Sequence, residues 1–368
     1  MTVYDGRLGS LCQKLGEHGL DAMLIAQPQN RRYLSGFTGD DDTPSSPNAW
    51  LIISRDRAVF LTAFTNLEWA KTEVTGYEFK QVATKYATSA ADVLRDLPGR
   101  RVGFEANYVT VSTHRDLAEA LGADWELVPV EGLVEALRQI KGEDEIALIA
   151  EAAAIADEAL TWLMARIAIG QTEEEIAWDL EKYVREHGAE DVSFETIVAA
   201  GSNSALPHSR ASARPIRPGE PVLIDMGARV GGYCSDITRT FVVGQPDEQF
   251  VEVYRTVQEA LEAAEKAIRP GMTGREADEI ARQIITRAGY GESFGHGLGH
   301  GVGLQIHEEP RLSKTSEQVL AENMVVTIEP GIYVPGWGGV RIEDSVVIRK
   351  GGVEILTRTT KDSVIPAR

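Results

Sequence analysis

Val222-Leu223-Ile224-Asp225-Met226-Gly227 and Val326-Thr327-Ile328-Glu329-Pro330-Gly331 share one pattern: three apolar or β-branched residues, an acid, and a glycine two places on. Their surroundings repeat as well. Gly231-Gly232 ends four residues before Asp236, and Gly338-Gly339 ends four residues before Glu343. Upstream, Glu158-Ala159-Leu160 and the run Ile167 to Glu175 recur as Glu259-Ala260-Leu261 and the run Ile268 to Glu276, a shift of about 101 residues. Each copy reads as a helix, a glycine stop, a Thr-x-x-Glu capping box (Thr172/Glu175, Thr273/Glu276) opening a second helix, and then strands. Two copies are too few for a solenoid. The pattern instead predicts an α+β domain of two similar halves facing each other across a pseudo-twofold axis, and sites tend to lie at such seams.

Outward from this core, Glu143 to Ile169 forms one Ala-rich helical pattern, with Ile146, Ile149, Ala153, Ala156, Leu160 and Leu163 on one face. Before it the texture differs. Leu8, Leu11 and Leu15 mark a helix, and short apolar runs at Asp21–Ala26, Trp50–Ile53, Ala58–Ala63, Arg101–Glu105 and Trp125–Val130 read as strands. Helical stretches are expected at Thr113–Leu121 and Leu133–Ile140. This is an α/β domain with a mixed or mostly parallel sheet. The expected division is 1–135 and 141–368. Asp40 to Asn48, with Pro44 and Pro47, reads as a solvated polar loop, its alternative being an arm towards a neighbouring subunit's site. Its three aspartates lack the alternating spacing of a calcium loop.

The 368 residues carry 37 Lys+Arg against 56 Asp+Glu, a net charge of −19, and both parts of the chain are acidic. That balance argues against nucleic acid, whose phosphates need clustered cations. No apolar run is long enough for a membrane span, and no secretory signal is visible at the start. Two cysteines, Cys12 and Cys234, make neither a disulfide framework nor a thiolate metal cage. The expectation is a reduced, cytoplasmic protein.

The duplication places carboxylates at matching points: Asp225 and Asp236 in the first copy, Glu329 and Glu343 in the second. Any one of them could face solvent beside its turn. Four within apolar strands would repel one another unless cations neutralised them, which hard divalent metals with oxygen ligands do. Four of the seven histidines, His208, His296, His300 and His307, fall in the same part of the chain. Two of them sit in Gly295-His296-Gly297-Leu298-Gly299-His300-Gly301-Val302-Gly303, where five glycines disfavour a helix and predict a loop or strand with close backbone approach. His18, His114 and His187 lack such a context and read as surface or packing residues.

Together with Ser204-Ala205-Leu206-Pro207-His208, Ser235-Asp236-Ile237-Thr238-Arg239-Thr240, Ile306-His307-Glu308 and Val340-Arg341-Ile342-Glu343-Asp344, these segments resemble the pita-bread metallopeptidases. The specific likeness is to the Xaa-Pro dipeptidase (prolidase) and Xaa-Pro aminopeptidase branch, with a creatinase-like α/β domain in front. Methionine aminopeptidases share the catalytic fold but usually lack that domain. The resemblance implies Asp225, Asp236, His300, Glu329 and Glu343 as ligands of two divalent ions, with Asp236 and Glu343 bridging. It implies His208, His296 and His307 around the substrate, Arg341 beside the last ligand, and Arg311 at the substrate carboxylate.

A carboxylate-rich set with one imidazole suits Mn²⁺, with Co²⁺ or Zn²⁺ as alternatives. Such a pair of ions would lower the pKa of a shared water, whose hydroxide attacks the Xaa-Pro carbonyl. His307 is the expected oxyanion donor and Glu329 the expected proton shuttle to the proline nitrogen. The expectation is a homodimeric metallo-exopeptidase acting on a proline-containing dipeptide or short peptide, favoured as a dipeptidase because of Arg311. Its rivals are an aminopeptidase, a non-catalytic peptide-binding module, and chemistry on a non-peptide carbonyl.

Overall fold

The computed structural model describes residues 3–367, which divide into two compact units between Arg138 and Gln139. In the first unit, α1 (Val3–Glu17), β1 (Ala22–Ile25), α2 (Pro28–Ser35), β2 (Ala49–Ser54), β3 (Ala58–Thr62), α3 (Phe64–Glu73), β4 (Glu78–Gln81), α4 (Tyr86–Arg95), β5 (Arg101–Glu105), α5 (Val111–Leu121), β6 (Glu126–Val130) and α6 (Glu135–Arg138) follow in order. The sheet runs β4-β3-β2-β1-β5-β6. β2 pairs antiparallel with both β1 and β3, while the other neighbours are parallel. It is the mixed sheet the apolar runs predict. The helix expected over Leu133–Ile140 shrinks to the single turn of α6. The aspartate loop is not wholly solvated either. The Asp41 side chain is fully buried against Arg31, Nη2 to Oδ1 at 2.9 Å, and Asp41 Oδ1 also accepts from Asn48 N–H. Residues 42–46 are exposed around a Thr43–Ser46 bridge.

The second unit carries the duplication. Its first half is α7 (Glu143–Met164), α8 (Glu173–Glu186), β7 (Asp191–Val192), β8 (Ile197–Ala200), β9 (Pro221–Met226), β10 (Ala228–Val230), β11 (Tyr233–Cys234) and β12 (Ile237–Val243). The second half is α9 (Glu248–Ala267), α10 (Gly274–Arg287), β13 (Gly299–Gly301), β14 (Glu308–Leu312), β15 (Val325–Ile328), β16 (Gly331–Val334), β17 (Gly338–Arg341) and β18 (Asp344–Arg349). Both capping boxes form: the Thr172 and Thr273 side chains accept from the N–H groups of Glu175 and Glu276, whose carboxylates reach back. The six apolar residues expected on one face of α7 are all buried. The helix stops at Met164 rather than Ile169 because Ile167 turns into the core and Gly170 takes a left-handed conformation, φ 93°.

The order β8-β9-β12 matches β13-β15-β18, so the two sheets are repeats of one another. Each covers its own apolar core: Ile176, Leu180, Val198 and Phe241 in the first, Val257, Leu261, Val326 and Ile348 in the second. Each turn between the paired acids is itself a small hairpin, β10–β11 and β16–β17. Gly231 and Gly232, at φ 56° and 82°, close the first.

Candidate metal centre

All ten residues singled out in the sequence line a single cavity of about 590 Å³. Asp225 lies within β9 opposite Ile197 of β8 and Thr238 of β12. Asp236 immediately precedes β12, and Glu343 immediately precedes β18. Glu329 follows the last residue of β15, Ile328, which pairs with Asp344. The repeat thereby delivers four acids from equivalent places. Asp236, Glu343 and His300 are buried, with relative exposures of 4%, 2% and 6%.

The imidazole is supplied only once. Gly301 pairs with Val326 as Ala200 pairs with Val222, so the counterpart of His300 in the first half is Ala199. Beside His300, Arg311 is its direct partner across the β13–β14 ladder. Opposed residues in an antiparallel pair point to the same face. The expected strand with close approach is observed over Gly299–Gly301.

His300 Nδ1 donates to the Gly301 carbonyl at 3.0 Å, leaving the lone pair on Nε2. That nitrogen faces Glu329 Oε1 at 3.4 Å and Asp236 Oδ2 at 3.6 Å. Burial holds the imidazole uncharged, with its pKa pushed down to about 3. Asp236 and Glu343 are driven well above the usual carboxylate range, by burial first and then by neighbouring acids. Glu329 is raised to about 7, chiefly by burial.

Residues 147–350 match metallopeptidase family M24, and residues 7–140 match the Creatinase/Prolidase N-terminal domain. The chain belongs to family M24. It is 40% identical to an Xaa-Pro dipeptidase of Pyrococcus furiosus, over 97% of this chain and 99% of that one. A solved Xaa-Pro dipeptidase from Bacillus anthracis superposes with a TM-score of 0.93 at 42% identity, covering 99% of both chains. An X-Pro aminopeptidase from Thermotoga maritima matches with a TM-score of 0.86 at 38% identity, covering 95% of this chain and 98% of that one.

An M24 metallopeptidase implies divalent metal ions, and the residues fit them. Ligand atoms of Asp236, His300 and Glu343 lie within 4.8 Å of one another. Asp225 Oδ1 is buried with no hydrogen-bond partner among the described residues. Acceptors thus face acceptors with no proton donor between them, an arrangement a cation resolves. Asp225 and Glu329 stand outside the tightest threesome. The other Asp225 oxygen is held by Arg341 Nη2, and Glu329 Oε1 accepts from Thr327 Oγ1 at 3.2 Å.

The remaining histidines of the M24 site differ in setting. His208 and His307 are exposed, and the His307 ring meets His300 edge-on with centroids 4.4 Å apart. Partial desolvation against the cavity wall lowers the His307 pKa, with a further push from Arg311. His296 donates from Nδ1 to its neighbour's carbonyl at 2.7 Å and accepts at Nε2 from Tyr333 Oη at 2.9 Å. Its pKa is pushed down to about 4, mainly by burial.

Tyr333 is the participant the sequence reading missed. Its oxygen also accepts from Arg341 Nη1 at 2.9 Å, joining His296 to the arginine that holds Asp225. A lone tyrosine in a strand gives no local signal of that role. Tyr333→Phe leaves His296 Nε2 buried without its donor, so a loss of about 1–3 kcal/mol is expected in urea titration. Wild-type stability in that variant would remove the link.

Proposed function

We propose that this M24 enzyme is an Xaa-Pro dipeptidase. The observation that carries the reading is the pairing of Arg311 with His300 across two adjacent strands, which sets a guanidinium beside the ligand set on the same face. A proline nitrogen in a peptide bond has no N–H to recognise. Recognition then falls to the ring and to the free carboxylate of a dipeptide, which Arg311 can grip through charge-assisted hydrogen bonds.

Asp225, Asp236, His300, Glu329 and Glu343 would hold two divalent ions. Mn²⁺ suits this carboxylate-rich set, and Co²⁺ or Zn²⁺ are workable substitutes. Ions there supply polarisation of the scissile carbonyl and a water of lowered pKa. The chain's own groups do the rest. Glu329 carries a proton to the leaving proline nitrogen, and its raised pKa suits that exchange near neutrality. His307, neutral at pH 7, donates a hydrogen bond to the developing oxyanion. His208 and His296 line the substrate cavity. Arg341 holds one Asp225 oxygen and so leaves the other, which has no hydrogen-bond partner among the described residues, able to hold an ion.

We expect the enzyme to work as a homodimer in the cytoplasm. Cys12 and Cys234 are not joined in a disulfide, which accords with a reducing compartment, and light scattering tests the assembly.

The likeness to an X-Pro aminopeptidase supports a second reading, in which the residue after proline extends past the cavity. Hydrolysis of Ala-Pro and Ala-Pro-Ala by metal-stripped protein with Mn²⁺ restored separates the two. The expected outcome is turnover of the dipeptide, with Arg311→Ala lowering its kcat/KM by about 10–100-fold, the equivalent of one charge-assisted contact. Efficient tripeptide turnover, untouched by Arg311→Ala, would transfer the assignment to aminopeptidase.

A further inference from the structure

The loop that carries His307 is held from behind by an ion pair that the reaction itself does not use. Lys141 Nζ lies 3.2 Å from Glu308 Oε2, with the two side chains only 1% and 5% exposed. The partners are 167 residues apart in sequence. The other Glu308 oxygen accepts from the Gln305 N–H at 3.0 Å. The Gly303 carbonyl accepts from Cys234 N–H at 2.8 Å, and a methyl group on Gly303 would come within 2.7 Å of Glu308 Oε2. Lys141 is itself fastened, its N–H donating to the Asn323 carbonyl at 3.0 Å. Backbone on both sides of His307 is thereby fixed, while the imidazole stays exposed over His300.

A buried ion pair is a weak source of net stability, because desolvation of both charges offsets their attraction. Its geometric effect is larger: one carboxylate ties the loop at 305 and 308 to a lysine at the start of the catalytic unit. We propose that the Lys141–Glu308 pair is a positioning device for His307, holding its ring where the oxyanion forms. Neither residue touches substrate. The inference rests on the reading of His307 as the oxyanion donor.

The test measures kcat and KM on Ala-Pro, metal content and unfolding for Glu308→Gln, Lys141→Met and the paired Lys141→Met/Glu308→Leu. Each is made in the wild-type and the His307→Ala backgrounds. A misplacement of about 1 Å can cost on the order of 100-fold in rate. The expected result is a kcat lower by about 10–100-fold with KM and metal content nearly unchanged, and less than about twofold further loss once His307 is absent. The apolar pair, which replaces the charges at similar volume, should unfold like the wild type and still show the low kcat. That outcome separates positioning from stability and keeps the test informative if either single variant folds poorly. Equal losses in both backgrounds, or recovery of kcat by the apolar pair, would overturn the proposal. Full activity of His307→Ala alone would instead overturn the reading of His307 on which it stands.

Discussion

Glu343→Gln is expected to cost about 10³-fold in kcat while making the metal-stripped protein harder to unfold at pH 8. The loss of rate follows from the proposed site: Glu343 would be one of the groups that hold the divalent ions, which would supply several kcal/mol of charge stabilisation in the transition state, and each 1.36 kcal/mol is about a decade. The gain in stability follows from the same burial. Glu343, Asp236 and Glu329 all have pKa values raised in the folded protein, Glu329 to about 7. A carboxylate raised on folding binds more protons folded than unfolded. Its contribution is present at low pH and is lost as pH rises through the folded value. The stripped wild type therefore weakens as pH rises above the unfolded glutamate value of about 4.5, for Glu329 through its folded value of about 7, and Glu343→Gln removes one member from that repulsion. Urea titrations at both pH values, with and without chelator, check this. The advantage of the stripped variant over the stripped wild type should grow from pH 6 to pH 8. In the loaded state the order should reverse. A stripped variant weaker than the wild type at pH 8 would show that Glu343 is not strained by its neighbours.

Arg341 is the second large effect, and there stability and activity fall together. The residue is 3% exposed. Nε donates to Thr238 Oγ1 at 3.0 Å, Nη1 to Tyr333 Oη and the Pro207 carbonyl, and Nη2 to Asp225. Arg341→Met takes one partner from a buried ion pair and leaves both Asp225 oxygens bare, a change of about 3–5 kcal/mol. In a unit of this size that corresponds to a fall in Tm on the order of 10 °C. Arg341→Lys keeps the charge but cannot span four acceptors in a plane, so it should recover little. Calorimetry of both variants decides the matter, and a wild-type Tm for Arg341→Lys would mean that charge alone suffices.

What the sequence made legible was what is local or repeated. Thr172 with Glu175 and Thr273 with Glu276 announce helices because a capping box needs only four residues, and the acids stand out because their strands are otherwise apolar. Helix α3 went unseen for a physical reason: of its ten residues only Ala70 is buried, so no apolar stripe exists to be read. Strand β4 is an edge strand with the exposed pattern of Glu78-Phe79-Lys80-Gln81, and α2 and α4 fell between stronger signals. In the site, ligand candidates were legible and their supports were not. Tyr333 reaches a histidine 37 residues away, and Lys141 reaches Glu308 across most of the catalytic unit. Such contacts are made by tertiary folding and leave no periodic trace.

The strand that presents His300 has a consequence for ancestry. A methyl group on Gly299 would lie 2.0 Å from the Thr327 carbonyl oxygen, and one on Gly301 would lie 2.3 Å from that of Glu309. Backbone on either side leaves no room for a side chain, so both positions are closed to neutral drift. A substitution on the outer face of α3 meets no such barrier, whereas any side chain at Gly299 or Gly301 must displace backbone of the strand that holds the imidazole. Steric confinement thus acts as a filter on inheritance at two letters, Gly299 and Gly301, on either side of the imidazole.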